Sequence, residues 1–209
     1  RVALARSRAP RPRMMLLDEP FSNLDVGLRA QVRDLVLHVL KNSTSMTVMV
    51  THDPEEAMFM ADRIAVMNKG RIIQLGTPEE LYNGPVAPFV LHLFGEVNRM
   101  EGRVADGHIA TPLGRVCAPG LAEGTLAEVL VRAEGLHIDA TAPTRGRVLT
   151  RRMLGRADLL HLSVPGLDGE PLHFHARITT RPGPAENDEV GLGLDEEQVF
   201  VFPVTEGEG

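Results

Sequence analysis

Cysteine is nearly missing from the sequence: Cys117 stands alone among 209 residues, which excludes an internal disulfide and fits a reducing compartment. Its simplest role is that of a small apolar strand residue. No apolar run approaches the roughly 20 residues that a membrane-crossing helix needs, and the amino terminus lacks the apolar segment of a signal peptide. A role at a membrane must therefore come through a partner. An excess of positive charge is missing as well, the formal net charge being -6 and the pI about 5.8, so no global field draws the chain to nucleic acid or anionic lipid. Arg6, Arg8, Arg11 and Arg13 form a local basic cluster that reads as a solvated connection.

What is present is core-forming material, 43% of the residues being hydrophobic, enough for one large or two modest domains. The opening stretch RVALARS is helical in character, with Val2 and Ala5 on one face and no N-cap before them, so the chain reads as a piece of a larger protein. MMLLDEP, residues 14–20, is a short apolar run without alternation, as expected of a strand buried on both faces of a parallel sheet. Asp25 is placed to cap a helix from Val26 to about Lys41, with Leu28, Val32, Leu35, Val36, Val39 and Leu40 as its apolar stripe. MTVMVTHD, residues 46–53, is a second buried strand ending near His52. Asp53, Pro54 and Glu56 then open a helix as N-cap, N1 and N3. RIAVMNKGRIIQLG, residues 63–76, predicts a hairpin turning at Asn68 to Gly70, and Thr77, Pro78 and Glu80 repeat the helix-opening grammar. Strand and helix alternate here as in an α/β sheet.

Near Gly95 this rhythm stops. From about Asn98 the chain consists of short strand-like runs broken by glycine, proline and aspartate, the pattern of a small antiparallel barrel or sandwich. The expected fold class is α/β followed by all-β, with a domain boundary near residues 95–98.

Asp18 and Glu19 close an apolar strand of a parallel sheet, at the carboxyl edge where open α/β folds bind ligands. Adjacent acids at a strand end point in different directions, so one can hold a cation while the other faces a water. Magnesium takes oxygen ligands and is usually held by one or two carboxylates together with substrate phosphates. The pair suits a nucleotide phosphate with Mg²⁺, Glu19 orienting or deprotonating an attacking water, and His52 ending the neighbouring strand could donate to a phosphate oxygen. A plain helix-capping role for the two acids is the alternative.

The stretches RVALAR, LLDEPFSNLD and VTHDPEEAMFMADRIAVMNKGRIIQLGTPEELY, in that order and spacing, resemble the ATP-binding subunits of ABC transporters. The first is similar to the helix after the signature loop, the second to the Walker B strand with the D-loop, the third to the switch-histidine loop and the end of the nucleotide-binding domain. The resemblance covers residues 1 to about 95 and implies a P-loop ATPase fold acting on ATP with Mg²⁺. It implies that Asp18 holds Mg²⁺ through water, that Glu19 polarises the attacking water, and that His52 contacts the γ-phosphate. It implies that Ser22, Asn23 and Asp25 form the D-loop, which reaches the partner subunit's phosphate loop across a homodimer interface, and that Thr51 and Asp53 set the geometry of His52. Near MFMADRIAVM, residues 58–67, it implies a surface that helps receive the permease.

The departures from the family pattern are large. Neither a G-x-x-x-x-G-K-[ST] phosphate loop, nor the glutamine loop, nor an LSGGQ-type signature is present in the sequence. That loop supplies the backbone cradle and lysine for the phosphates, so the chain by itself is expected to hydrolyse ATP poorly or not at all.

EVNRMEGRV, AEVLVRAEGLHI, GRVLTRRMLGRADLLHLSV and EQVFVFP look like the OB-like regulatory segments called TOBE that are appended to importer ATPases, with Ala133 where the family usually has proline. The resemblance thus implies 1–95 as the carboxyl-terminal portion of the nucleotide-binding domain and 96–209 as a TOBE-type β domain. It implies an importer subunit at the cytoplasmic face of the inner membrane, working as a homodimer with permease subunits and, indirectly, an extracytoplasmic solute-binding protein, in the ferric-iron or putrescine branch. The alternatives are a regulatory module on the barrel that binds a small oxyanion or metal, and an ABC-type ATPase of DNA repair or translation. The latter usually carries a coiled-coil insertion, zinc motifs or a second cassette, none of which is visible.

Three smaller features take bland readings. His173 and His175 alternate on one side of a strand and, with His161, invite a metal, but no local carboxylate or thiol completes a site. Met58, Met60 and Met67 read as core filler. Arg151 and Arg152 could meet an oxyanion, and a solvated turn is the simpler reading.

Overall fold

The computed structural model describes Arg6, residues 9–10, 12–180 and 182–204. The predicted opening helix at RVALAR lies, apart from Arg6, outside the described residues, as do Arg8 and Arg11 of the basic cluster. The chain divides into two compact units, Arg1–Glu80 and Leu81–Gly209. The fold class is α/β followed by all-β, as the sequence predicts.

In the first unit, β1 (Met14–Asp18) and β2 (Met46–Val50) pair in parallel, Met14 opposite Met46 and Asp18 opposite Val50. The crossover between them is α1 (Val26–Lys41), the βαβ connection that parallel pairing requires. The expectation of strands buried on both faces is corrected. Met15 is buried and Leu17 half-buried, whereas Met14, Leu16, Met46, Val48 and Val50 are exposed, Leu16 at 75%. Side chains alternate across a strand, so one face of this two-stranded sheet is covered and the other is bare. The stripe of α1 is corrected too: Val36 is buried, but Leu28 and Leu35 lie exposed. Asp25 occupies the N-cap position without a side-chain capping bond.

Local signals did better further on. Asp53 accepts hydrogen bonds from the backbone N–H of Glu55 and Glu56 and starts α2 (Pro54–Met60). Strands β3 (Ile64–Asn68) and β4 (Arg71–Gly76) form the predicted hairpin. Its turn residues Lys69 and Gly70 both have positive φ, 47° and 77°, the handed turn that matches strand twist and favours glycine. At the start of α3 (Pro78–Asn83) the Thr77 hydroxyl accepts from Glu80 N–H and the Glu80 carboxylate accepts from Thr77 N–H. This reciprocal box satisfies two donors that a helix start leaves orphaned.

The second unit begins within α3. A helix that the sequence reading missed, α4 (Pro88–Leu93), follows with Pro88 in its first turn, a favoured place for a residue without an N–H. Beyond it lie ten strands: β5 (Val97–Ala105), β6 (His108–Thr111), β7 (Gly114–Cys117), β8 (Leu126–Arg132), β9 (Leu136–Ile138), β10 (Arg145–Met153), β11 (Asp158–Pro165), β12 (Pro171–Ile178), β13 (Glu189–Leu194) and β14 (Val199–Pro203). They form two five-stranded sheets of order β14-β8-β5-β6-β7 and β12-β11-β10-β13-β9.

Inward residues of both sheets meet in one core: Met100, Val129 and Val131 from the first, Leu160, Leu162, Phe174 and Val190 from the second. Each large apolar side chain buried there contributes about 1.5–3 kcal/mol. Asn98 of β5 is buried, and its side chain spans the backbone of β12, accepting from His175 N–H at 2.7 Å and donating to His175 C=O at 2.8 Å.

Arg132, at the end of β8, is the largest fully buried side chain among the described residues. Its guanidinium lies 3.5 Å from the ring centre of Tyr82 and 5.2 Å from that of Phe200, and it donates to the Tyr82 carbonyl at 2.8 Å. The Tyr82 hydroxyl donates to the Glu134 carboxylate at 2.6 Å. Flat aromatic faces offset part of the cost of taking this cation out of water.

Candidate functional site

The parallel ladder carries one rung past β1, because Glu19 N–H donates to Val50 C=O at 2.9 Å. Glu19 therefore sits beside the chain that leaves β2. Its backbone then turns sharply, with φ of 40°. A non-glycine residue in the left-handed region costs on the order of 1 kcal/mol and clusters at functional turns. Phe21, 1% exposed, anchors the following loop. The loop is tied back to the same place, since both the backbone N–H and the hydroxyl of Ser22 donate to Glu19 C=O.

On the other side, Thr51 receives the N–H of Asp53 on its hydroxyl oxygen and donates that hydroxyl to the buried Glu56 carboxylate at 2.7 Å. Glu56 thus serves Thr51 rather than closing a capping box. Between the two braced residues stands His52, and its Nδ1–H donates to Glu19 Oε1 at 3.0 Å. The two side chains are 74% and 46% exposed, so the pair adds little to stability. Its consequence is geometric, because bonding through Nδ1 leaves Nε2 available.

Asp18 is exposed at the end of β1 and makes no hydrogen bond or ion pair among the described residues. Asn23 is exposed in the loop, and Asp25 precedes α1 and accepts Arg29 N–H on its carbonyl. Arg29, which sequence reasoning missed, pairs with Asp53 at 3.6 Å and donates to Leu24 C=O at 3.4 Å. It ties the loop after β1 to the loop after β2. Its place one turn into α1 was the available signal. The arrangement is thus two acids and an imidazole at the carboxyl ends of adjacent parallel strands, held by short side-chain braces. Such a site can bind an oxygen-seeking cation and hold a water between a carboxylate and an imidazole.

The other singled-out residues lie elsewhere. Arg151 is engaged, donating from Nε to buried Asp158 at 2.8 Å and from its terminal nitrogen to Gly183 C=O. Cys117 is a strand residue as read, exposed at the end of β7, and lines a groove of about 660 Å³ together with Leu113, Phe200 and Phe202. Met67 is exposed, and Met58 and Met60 are half-buried. His161 and His175 face each other across β11 and β12. Among the described residues no group of three or more histidines, cysteines or acids is placed to hold a metal ion. Among the same residues no helix is long and apolar enough to cross a membrane.

Residues 129–202 match the TOBE domain family. An Fe(3+) ions import ATP-binding protein of Rhodococcus jostii is 40% identical over 182 residues, 87% of this chain and 52% of that protein. A sulfate/thiosulfate import ATP-binding protein of Xylella fastidiosa is 45% identical over 141 residues, 67% of this chain and 40% of that protein. An Fe(3+) ions import ATP-binding protein of Pseudomonas fluorescens is 42% identical over 138 residues, 66% of this chain and 39% of that protein. The chain spans about half or less of the length of these curated relatives. Carrying both the acid–histidine strand ends and a TOBE match, the chain is similar over most of its length to the ATP-binding subunits of ABC importers.

Proposed function

We propose that the chain supplies the hydrolytic strand ends and the regulatory barrel of an ATP-hydrolysing subunit that powers solute import. The single observation that carries this reading is the hydrogen bond from His52 to Glu19 at the ends of β1 and β2. In this assignment residues 1–95 are the carboxyl-terminal portion of the nucleotide-binding domain and 96–209 the TOBE-type domain. Glu19 and His52 are the catalytic pair, and Asp18, Ser22, Asn23 and Asp25 face nucleotide.

Asp18 fits a magnesium ion, being a hard oxygen donor with its carboxylate uncommitted among the described residues. Bound there, the ion would neutralise charge on the phosphate oxygens of ATP. Glu19 accepts a hydrogen bond from the attacking water and takes its proton as the water oxygen bonds to the γ-phosphorus and the bond to the bridging oxygen breaks, releasing ADP. The same carboxylate is oriented by His52, whose Nε2, once the ring takes a second proton, donates to an oxygen of the transferred phosphoryl group. Ser22 and Asn23 stand in the adjoining loop, suited to reach a second copy of the subunit in a homodimer.

The subunit would work at the cytoplasmic face of the inner membrane, on permease subunits fed by an extracytoplasmic solute-binding protein. The similar proteins named for Fe(3+) include one matched over 87% of this chain, against 67% for one named for sulfate/thiosulfate. Ferric iron is the cargo we favour on that ground.

The test supplies in trans the amino-terminal half of a relative's ATPase domain, which carries the phosphate loop that this sequence lacks. Magnesium-dependent ATP hydrolysis is expected to appear and to fall at least a hundredfold with Glu19→Gln. Hydrolysis that is indifferent to Glu19→Gln would overturn the assignment. For the chain alone, calorimetric titration with Mg-ATP is expected to give no binding at micromolar concentrations.

A further inference from the structure

The second unit carries a pair of histidines that the hydrolytic reading does not use. His161 on β11 and His175 on β12 are direct cross-strand partners in an antiparallel pair. Their neighbours Leu160, Leu162, Phe174 and Ala176 are buried in the core. The two imidazoles therefore share the face away from that core. Their ring centres are 4.3 Å apart and the ring planes are tilted by 56°.

We propose that His161 and His175 form a two-imidazole site for a borderline divalent cation such as Cu²⁺ or Ni²⁺. The distance carries the argument. A metal–nitrogen bond is about 2.0 Å and the ring centre lies about 1.1 Å behind the nitrogen, so each centre sits about 3.1 Å from a bound ion. Two imidazoles in adjacent corners of a square-planar ion then have centres about 4.4 Å apart, whereas a tetrahedral angle spreads them to about 5 Å. The observed spacing is that of the square-planar case once each ring turns one nitrogen to the shared ion, and imidazole is a suitable donor for copper and nickel.

Both ligands stand on regular strands rather than loops. The backbone of His175 is clamped at its N–H and its C=O by buried Asn98. Such support from beyond the ligands lowers the ordering needed on binding. His173, on the same strand as His175 and opposite Ser163 of β11, lies two register pairs further along, and water completes the remaining corners.

The test is Cu²⁺ titration of the full chain carrying Cys117→Ser, in a non-coordinating buffer, with the His161→Gln/His175→Gln double variant as the background for single-imidazole binding. Calorimetry is expected to give one ion per chain, and electron paramagnetic resonance to report two protein nitrogens. His161→Gln and His175→Gln should each weaken binding at least tenfold, and His173→Gln less than threefold, with circular dichroism confirming that each variant folds. Binding unaffected by the first two substitutions overturns the proposal, as does a loss with His173→Gln equal to theirs. Neither outcome bears on ATP hydrolysis, which resides on other residues.

Discussion

Tyr82 is the sole tyrosine, and the sequence has no tryptophan, so its ionisation can be followed without interference. Burial, then the hydrogen bond to Glu134 and the negative charge of that group, push its hydroxyl above the ordinary 10.0. A raised folded-state value means a contribution to stability that is whole below pH 10 and is lost as pH climbs through the folded value. Absorbance at alkaline pH is expected to show Tyr82 titrating above 10, with Glu134→Gln moving the midpoint down. A midpoint indifferent to Glu134→Gln would refute the role given to that hydrogen bond. Arg132, wedged against the same ring, has Nε and one terminal nitrogen without hydrogen-bond partners among the described residues. Arg132→Ala would remove the stacked cation and leave a cavity, at about 2–4 kcal/mol in urea unfolding read by Tyr82 fluorescence.

Among the elements, β13 makes a sharp contrast with α1. A Cβ at Gly191 of β13 would collide with the backbone carbonyl of Asp139, which cannot swing aside as a side chain can. Gly191→Ala is expected to cost about 3 kcal/mol in the same unfolding measurement. Gly27 of α1 has open space around it, and Gly27→Ala should instead stabilise that helix by about 0.5 kcal/mol, read as helical ellipticity during melting. These elements also divide what a reader of the sequence can and cannot see. Asp53 with Pro54, Thr77 with Glu80, and the Lys69-Gly70 turn carry their signals within a few residues, and each forms the expected element. The exposure of Leu28, Leu35 and the outer face of β1 depends on what lies across space, which apolar spacing does not encode. The site divides likewise. Strand ends placed Asp18, Glu19 and His52 at one edge, but the left-handed turn at Glu19 and the Arg29–Asp53 tie needed coordinates. The facing of His161 and His175 is a matter of hairpin register, which a one-residue slip would abolish.

At the scale of the molecule, the bare face formed by Met14, Leu16, Met46, Val48 and Val50 is a contiguous apolar surface of the kind that associates in water. Light scattering of the chain alone should show association that rises with concentration. Leu16→Lys, set into the middle of that face, should shift it to at least fivefold higher concentration; a curve unmoved would place the adhesive surface elsewhere. In the second unit, β12 is the last hydrogen-bonded strand of its sheet and packs against β9 and residues 133–135. There the carboxamide of Asn98 stands in for one peptide group of a further strand, taking the N–H and meeting the C=O of His175. A strand answered in this way has no matched rung left at that point for an incoming strand to read. A side chain of one residue thus acts as a stop mark, fixing how many strands the sheet will ever count.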